Sequence, residues 1–158
     1  KIPKTIPYQP SFRHLTMILQ THELDVLKSV GYLAGELKNE HDRTRLLIRA
    51  ECAKNWLQKY APEEFKFTVQ KNCQITLVDQ EKKILKELAE KLNNHKFTDK
   101  ELHEEFYVLC KNNDFLSKDF FKLCYEVLIN KSQGPKLASF ILVLGAKRVA
   151  EIFTKAST

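Results

Sequence analysis

Glycine is nearly missing from this sequence, with four in 158 residues. A β-protein rich in tight turns needs more, because glycine is the usual residue at positive φ. Helices are therefore expected. Cysteine is sparse and unpaired by pattern. Cys52, Cys73, Cys110 and Cys124 form no CxxC, and no histidine stands at finger spacing from them, which argues against a zinc site. Cys52, Cys110 and Cys124 fall within apolar helical patterns and read as reduced core residues. That points to a reducing compartment, most simply the cytosol. No signal-peptide pattern and no apolar run of membrane-spanning length occurs, so no membrane partner is expected. Internal repeats and low-complexity stretches are also missing.

Catalytic patterns are equally scarce. There is no GxGxxG, no Walker-type phosphate loop and no GxSxG nucleophile turn. Glu63-Glu64 and Glu104-Glu105 are adjacent pairs, and neighbours on a helix do not share a face. His103 and Cys110 are seven apart and can share one, but no third residue orients them. The five histidines, His14, His22, His41, His95 and His103, form no cluster in sequence. No catalytic residue, metal or cofactor is expected in this chain.

What is present is a basic balance and a helical period. Lysine and arginine exceed aspartate and glutamate by six, which favours a polyanion partner without demanding one. The length suits one core or two small packed subdomains. Pro3, Pro7 and Pro10 predict an extended start, Lys1 to Pro10. Ser11 caps a helix to about Thr21. A second runs from Glu23 to Leu37 on Leu24, Leu27, Val30, Tyr32 and Leu33. Its Gly31 and Gly35, four apart, suit a close helix approach. A third spans Asp42 to Tyr60, with Leu46, Ala50, Ala53, Leu57 and Tyr60 as its core stripe, and Pro62 stops it. Glu63 to Val78 has no helical period, and Phe65 to Val69 alternates like a short strand or linker. Asp79 caps a helix to about Asn93. Thr98-Asp99-Lys100-Glu101 is a capping box opening a helix to Asn112, and Ser117 caps the next. The expected organisation is a first subdomain over 1–62, a joint over 63–78, and a second subdomain over 79–158.

The most distinctive stretch is Leu123 to Phe153, LCYEVLINKSQGPKLASFILVLGAKRVAEIF. It reads as helix, turn, apolar helix, glycine stop and short basic helix. The turn is Ser132-Gln133-Gly134-Pro135, with Gly134 expected in the left-handed conformation. Leu137, Phe140, Ile141 and Leu144 then line an almost wholly apolar helix, and Gly145 ends it.

Three groups have the chemistry for nucleic acid. Arg45, Arg49 and Trp56 share one broad helical face. Guanidinium groups fork onto phosphate, and an indole offers a stacking platform. The competing reading is solvated arginines and a Trp56 half-buried on the Ala-Pro turn. Lys131 and Lys136 flank the Gly-Pro turn, where a helix start presents free N–H groups. Lys147 and Arg148 open the last basic helix. An ordinary surface turn and a solvated charged face are the alternatives for these two groups. Phe65 and Phe67 either stack bases or, more simply, seal the joint.

YEVLINK, GPKLASFI and LGAKRVAEIF resemble the last helical unit of the anticodon-binding region of class I lysyl-tRNA synthetases; related units close the glutamyl-tRNA synthetases. RAECAKNWLQKYAPEEFKF, Arg49 to Phe67, is similar to the lysyl family's helix with Ala, Trp and a closing Ala-Pro-Glu-Glu. IPYQPSFRHLTMILQ near the start is a weaker match, and the middle, about Cys73 to Leu116, matches poorly. The family's HIGH-like and KMSKS-like ATP signatures do not occur. The resemblance implies an all-α protein of two helical subdomains of the helix-cage type, excised from a longer chain. It implies the anticodon-binding part of a class I lysine–tRNA ligase, whose parent uses ATP to attach lysine to tRNA. The expected partners are the anticodon stem-loop of lysine tRNA and the parent's N-terminal catalytic domain. The expected RNA-binding residues are Arg45, Arg49, Trp56, Lys131, Lys136, Lys147 and Arg148. A glutamyl-tRNA synthetase end-domain, or a helical protein-interaction module, is the alternative.

Overall fold

A computed structural model describes residues 6–71 and 75–158. Within them the chain is all-α: α1 (Phe12–Thr21), α2 (Val26–Tyr32), a 3₁₀ turn (Ala34–Glu36), α3 (Glu40–Lys59), α4 (Asp79–Asn94), α5 (Asp99–Asn112), α6 (Ser117–Ile129), α7 (Leu137–Leu144) and α8 (Ala146–Ala156). The expected extension of Lys1 to Thr5, and the environment of Cys73, lie outside the described residues. The chain forms two compact units, Lys1–Thr68 and Val69–Thr158.

The first unit is α1, α2 and α3. Ser11 Oγ accepts the His14 N–H at 3.3 Å and starts α1. Leu15, Ile18 and Leu19 are buried, as are Leu46, Ala50, Ala53 and Leu57 of α3. Tyr60 is not part of that stripe. The helix stops at Lys59, the Ala61 N–H bonds back to the Trp56 carbonyl at 2.9 Å, and Tyr60 turns outward, 70% exposed. The second helix is shorter than its apolar pattern predicts. Glu23 and Leu24 both take positive φ, and the Asp25 carboxylate caps the Lys28 N–H at 3.0 Å. The helix therefore starts only at Val26. Leu27 and Tyr32 face outward, and a Cβ on Gly31 or Gly35 would meet nothing within 4 Å, so neither glycine serves a close approach.

Phe65 to Val69 is not a strand. The Phe65 N–H closes a turn onto the Pro62 carbonyl. The Phe67 N–H goes to Gln20 Oε1 at 2.8 Å, so a side chain of α1 takes the donor that a strand partner would have taken. Asp42 is buried and accepts the N–H groups of Tyr8 at 3.3 Å and Lys38 at 3.0 Å, tying the residues before α1 and α3 to one carboxylate.

The second unit is α4 to α8. Phe106, Phe120, Phe140 and Phe153, one each from α5, α6, α7 and α8, are fully buried, with Ile84, Leu85 and Leu88 of α4. α4 lies against α8, and α5 against α7. Thr98 and Glu101 form the reciprocal capping box of α5: the Thr98 N–H reaches Glu101 Oε2 at 2.7 Å, and the Glu101 N–H reaches Thr98 Oγ1 at 3.4 Å. Asp79 and Ser117 each sit one residue inside their helices instead of capping them; Val78 and Leu116 hold the cap positions. Glu81 takes over at α4 by accepting the Val78 N–H at 2.9 Å. Cys110 and Cys124 are buried free thiols, but Cys52 is exposed, on the outer side of α3. No described helix is long and apolar enough to cross a membrane.

Candidate nucleic-acid interface

On α3, Arg45 and Arg49 are one turn apart, as their spacing predicts. They differ in freedom. Arg45 is exposed and has no ion pair among the described residues. Arg49 is half-buried, and its guanidinium donates to Gln9 Oε1 at 3.2 Å and to the Pro10 carbonyl at 3.4 Å. It clamps the Gln9-Pro10 segment onto α3. Trp56 is half-buried between two phenylalanines, Phe12 at 5.0 Å and 77° and Phe65 at 5.2 Å and 85° between ring planes. Such edge-to-face pairs contribute about 0.5–1.5 kcal/mol each beyond area burial. Phe65 thus belongs with Trp56 in an aromatic triad of the first unit, together with Phe12, which sequence spacing gave no reason to include.

The Gly-Pro turn is built differently from its sequence signature. Asn130, not Gly134, takes the left-handed conformation that ends α6, at φ 54. Gly134 is needed for space instead: a Cβ there would sit 2.9 Å from the Tyr125 ring and from Ile129 Cδ1. Of the described glycines only Gly145 has positive φ, at 97, and it ends α7. The Tyr125 hydroxyl donates to the Pro135 carbonyl. Burial, with help from nearby Cys124, pushes this phenol up to about 12.

Lys136 and Lys131 flank the turn as expected. Lys136 is exposed, but its ammonium pairs with Asp99 Oδ2 at the start of α5. Ser139 Oγ, one turn into α7, donates to the other oxygen, Asp99 Oδ1, at 2.5 Å. Partial burial pushes the Asp99 carboxyl up. The hydrogen bonds from Lys136 and Ser139 outweigh it, and with the charges of Lys136 and His103 they hold the carboxyl below its usual range. Lys131 is half-buried. Lys147 and Arg148 are exposed in the first turn of α8. They are not neighbours of Lys136. The eight residues of α7 separate them, about 12 Å of helix at the usual rise.

The seven residues therefore form three placements: an α3 face in the first unit, and the two ends of α7 in the second. What they offer is exposed cationic charge at Arg45, Lys147 and Arg148, suited to phosphate. The pinned turn adds exposed Ser132 and Gln133 at its tip. Asp99, Ser139 and Tyr125 escaped sequence reasoning because their partners lie 10 to 40 residues away. No local pattern encodes that. Among the described residues no group of three or more His, Cys, Asp or Glu is placed to hold a metal ion.

A family model described as "Anticodon binding domain" matches residues 43–153. The chain is 37% identical to a lysine–tRNA ligase of Borreliella burgdorferi over 157 residues, 96% of this chain and 30% of that protein. It is 32% identical to one of Methanosphaera stadtmanae, over 96% of this chain and 32% of that protein. The ligase of Treponema pallidum is 32% identical over 94% and 28%, respectively. The chain thus spans about 30% of the length of the curated relatives it matches.

Proposed function

Because this chain belongs to the anticodon-binding-domain family, we propose that it is the tRNA-reading part of a class I lysine–tRNA ligase, holding the anticodon stem-loop of lysine tRNA. The observation that carries this reading is the extent of the family match. Residues 43–153 take in every candidate contact from Arg45 to Arg148. The relatives named above are lysine–tRNA ligases, which favours a lysyl parent over a glutamyl one. That parent's N-terminal catalytic domain supplies the ATP and lysine chemistry, and this chain supplies tRNA selection. The buried free thiols of Cys110 and Cys124 suit a reducing compartment such as the cytosol.

The mechanism follows from the separation of charge and shape. Arg45, Lys147 and Arg148 are exposed and neutralise phosphates, which gives affinity and register without sequence information. Bases splayed from an unpaired loop are read by stacking and by polar groups at their edges. Within the first unit, Arg49 and Trp56 hold the Gln9-Pro10 segment and the aromatic triad in place.

The test is binding of the chain to lysine tRNA and to the same tRNA with a swapped anticodon, over a salt series. The expected result is a linear fall of log affinity with log salt and a preference for the lysine anticodon. A protein-interaction module would show neither. The chain alone should give no lysine-dependent pyrophosphate exchange, since it lacks the ATP signatures.

A further inference from the structure

We propose that Asp99 is a positioning residue for RNA binding: its carboxylate, by holding Lys136 and Ser139, fixes the start of α7 against α5 so that the turn 132–135 is presented in one shape before RNA arrives. The inference rests on the anticodon reading above and adds a residue to it.

The turn is tied on both sides. From α6, the Tyr125 hydroxyl holds the Pro135 carbonyl, and its ring, with Ile129, fills the space a Cβ on Gly134 would take. From α5, Asp99 holds Lys136 through one oxygen and Ser139 through the other. The two oxygens therefore fix two residues one turn apart, which orients α7 as well as anchoring it. α7 has no side-chain cap of its own. Asp99 sits in the first turn of α5, where a carboxylate is favoured by the helix field. The ion pair is partly exposed, with Lys136 at 57% and Asp99 at 38% side-chain exposure, and such pairs contribute little to global stability. Leu137, Ala138, Phe140 and Ile141 are buried and anchor α7 by apolar packing rather than through the ion pair. Its effect therefore falls on the shape of the turn rather than on folding.

Removing a carboxylate from a basic chain should, by charge alone, tighten binding to a polyanion. If Asp99 positions the turn, removing it weakens binding, because the freed side chains must be ordered on association. A loss of roughly three- to tenfold is the size expected from ordering one rotamer-rich side chain, here that of Lys136.

The experiment compares wild type, Asp99→Ala, Asp99→Asn and Asp99→Glu on a hairpin with the lysine anticodon loop and on one with a swapped loop. Expected is a three- to tenfold loss for Asp99→Ala on the lysine loop, a smaller preference over the swapped loop, an unchanged thermal midpoint, and recovery in Asp99→Glu. Asp99→Asn, which keeps a polar partner for Ser139, should fall between. Equal or tighter binding by Asp99→Ala, with wild type still preferring the lysine loop, overturns the positioning role and leaves the anticodon reading intact. No preference by wild type overturns the anticodon reading and this role with it. Hydrogen exchange reads the tether without RNA. The Phe140 N–H, bonded to the Lys136 carbonyl at 2.9 Å, should exchange faster in Asp99→Ala, and unchanged protection also overturns the proposal.

Discussion

A Cβ on Gly134 would lie 2.9 Å from the Tyr125 ring and from Ile129 Cδ1, so alanine there overpacks a seat that is already full. Gly134→Ala should cost about 1–3 kcal/mol, the range for inserting volume into a packed site, read from the urea midpoint. A loss below about 0.5 kcal/mol, the range of neutral surface changes, would mean that the ring moves aside. Tyr125 also belongs to a set of buried acids. Burial pushes the Cys110 thiol up, that of Cys124 well up, and the Tyr125 phenol up to about 12. In the unfolded chain a thiol ionises near 8.5 and a phenol near 10. The folded state therefore favours the protonated forms. Their stabilising contribution is complete below the unfolded values and is lost as pH rises towards the folded ones. Stability should hold to about pH 8 and then decline, first through the thiols and above about pH 10 through Tyr125. Urea midpoints between pH 7 and 11 check this, and Tyr125→Phe should flatten the upper part. A flat wild-type profile would show the groups to be solvated.

Helix α7 shows how much of an element is readable in advance. Leu137, Phe140, Ile141 and Leu144 recur at helical spacing, and all four are buried. Phe140 has no exposed surface, so Phe140→Ala should destabilise the second unit by about 3–5 kcal/mol. Chemical denaturation measures it, and a loss under 1 kcal/mol would place the ring outside the core. The same periodicity located α1 and α3 to α8 to within a few residues, because each buries a stripe set by 3.6 residues per turn. It overextended α2. Asp25 offers its carboxylate to the Lys28 N–H, and that local competition for backbone donors is decided by geometry, not by hydrophobic pattern. Caps slipped for a similar reason. Asp79 and Ser117 are cap-forming types, but the helices begin at these residues rather than after them.

At the scale of the whole chain, the charge excess of six acts through whichever cations stay free. Arg148 is exposed at the start of α8, so Arg148→Ala should lower the salt slope of tRNA binding by roughly 0.7–0.9. It should weaken lysine and swapped-anticodon tRNAs alike, since phosphates carry no sequence information. An unchanged slope would place the RNA path away from α8. Lys136 is a different case, because Asp99 already neutralises it. The sequence by itself determined the all-α class, most of the helical core and the family, since these depend on spacing along one helix and on contiguous motifs. It also identified the cationic and aromatic residues. Only the tertiary structure decided which of them are free. Arg49 is held by Gln9 and Pro10, Trp56 by Phe12 and Phe65, and Lys136 by Asp99. The physical reason is range. Periodicity acts over three or four residues, whereas a hydrogen bond or ring contact depends on where the folded backbone brings residues that are nine to 44 positions apart in sequence.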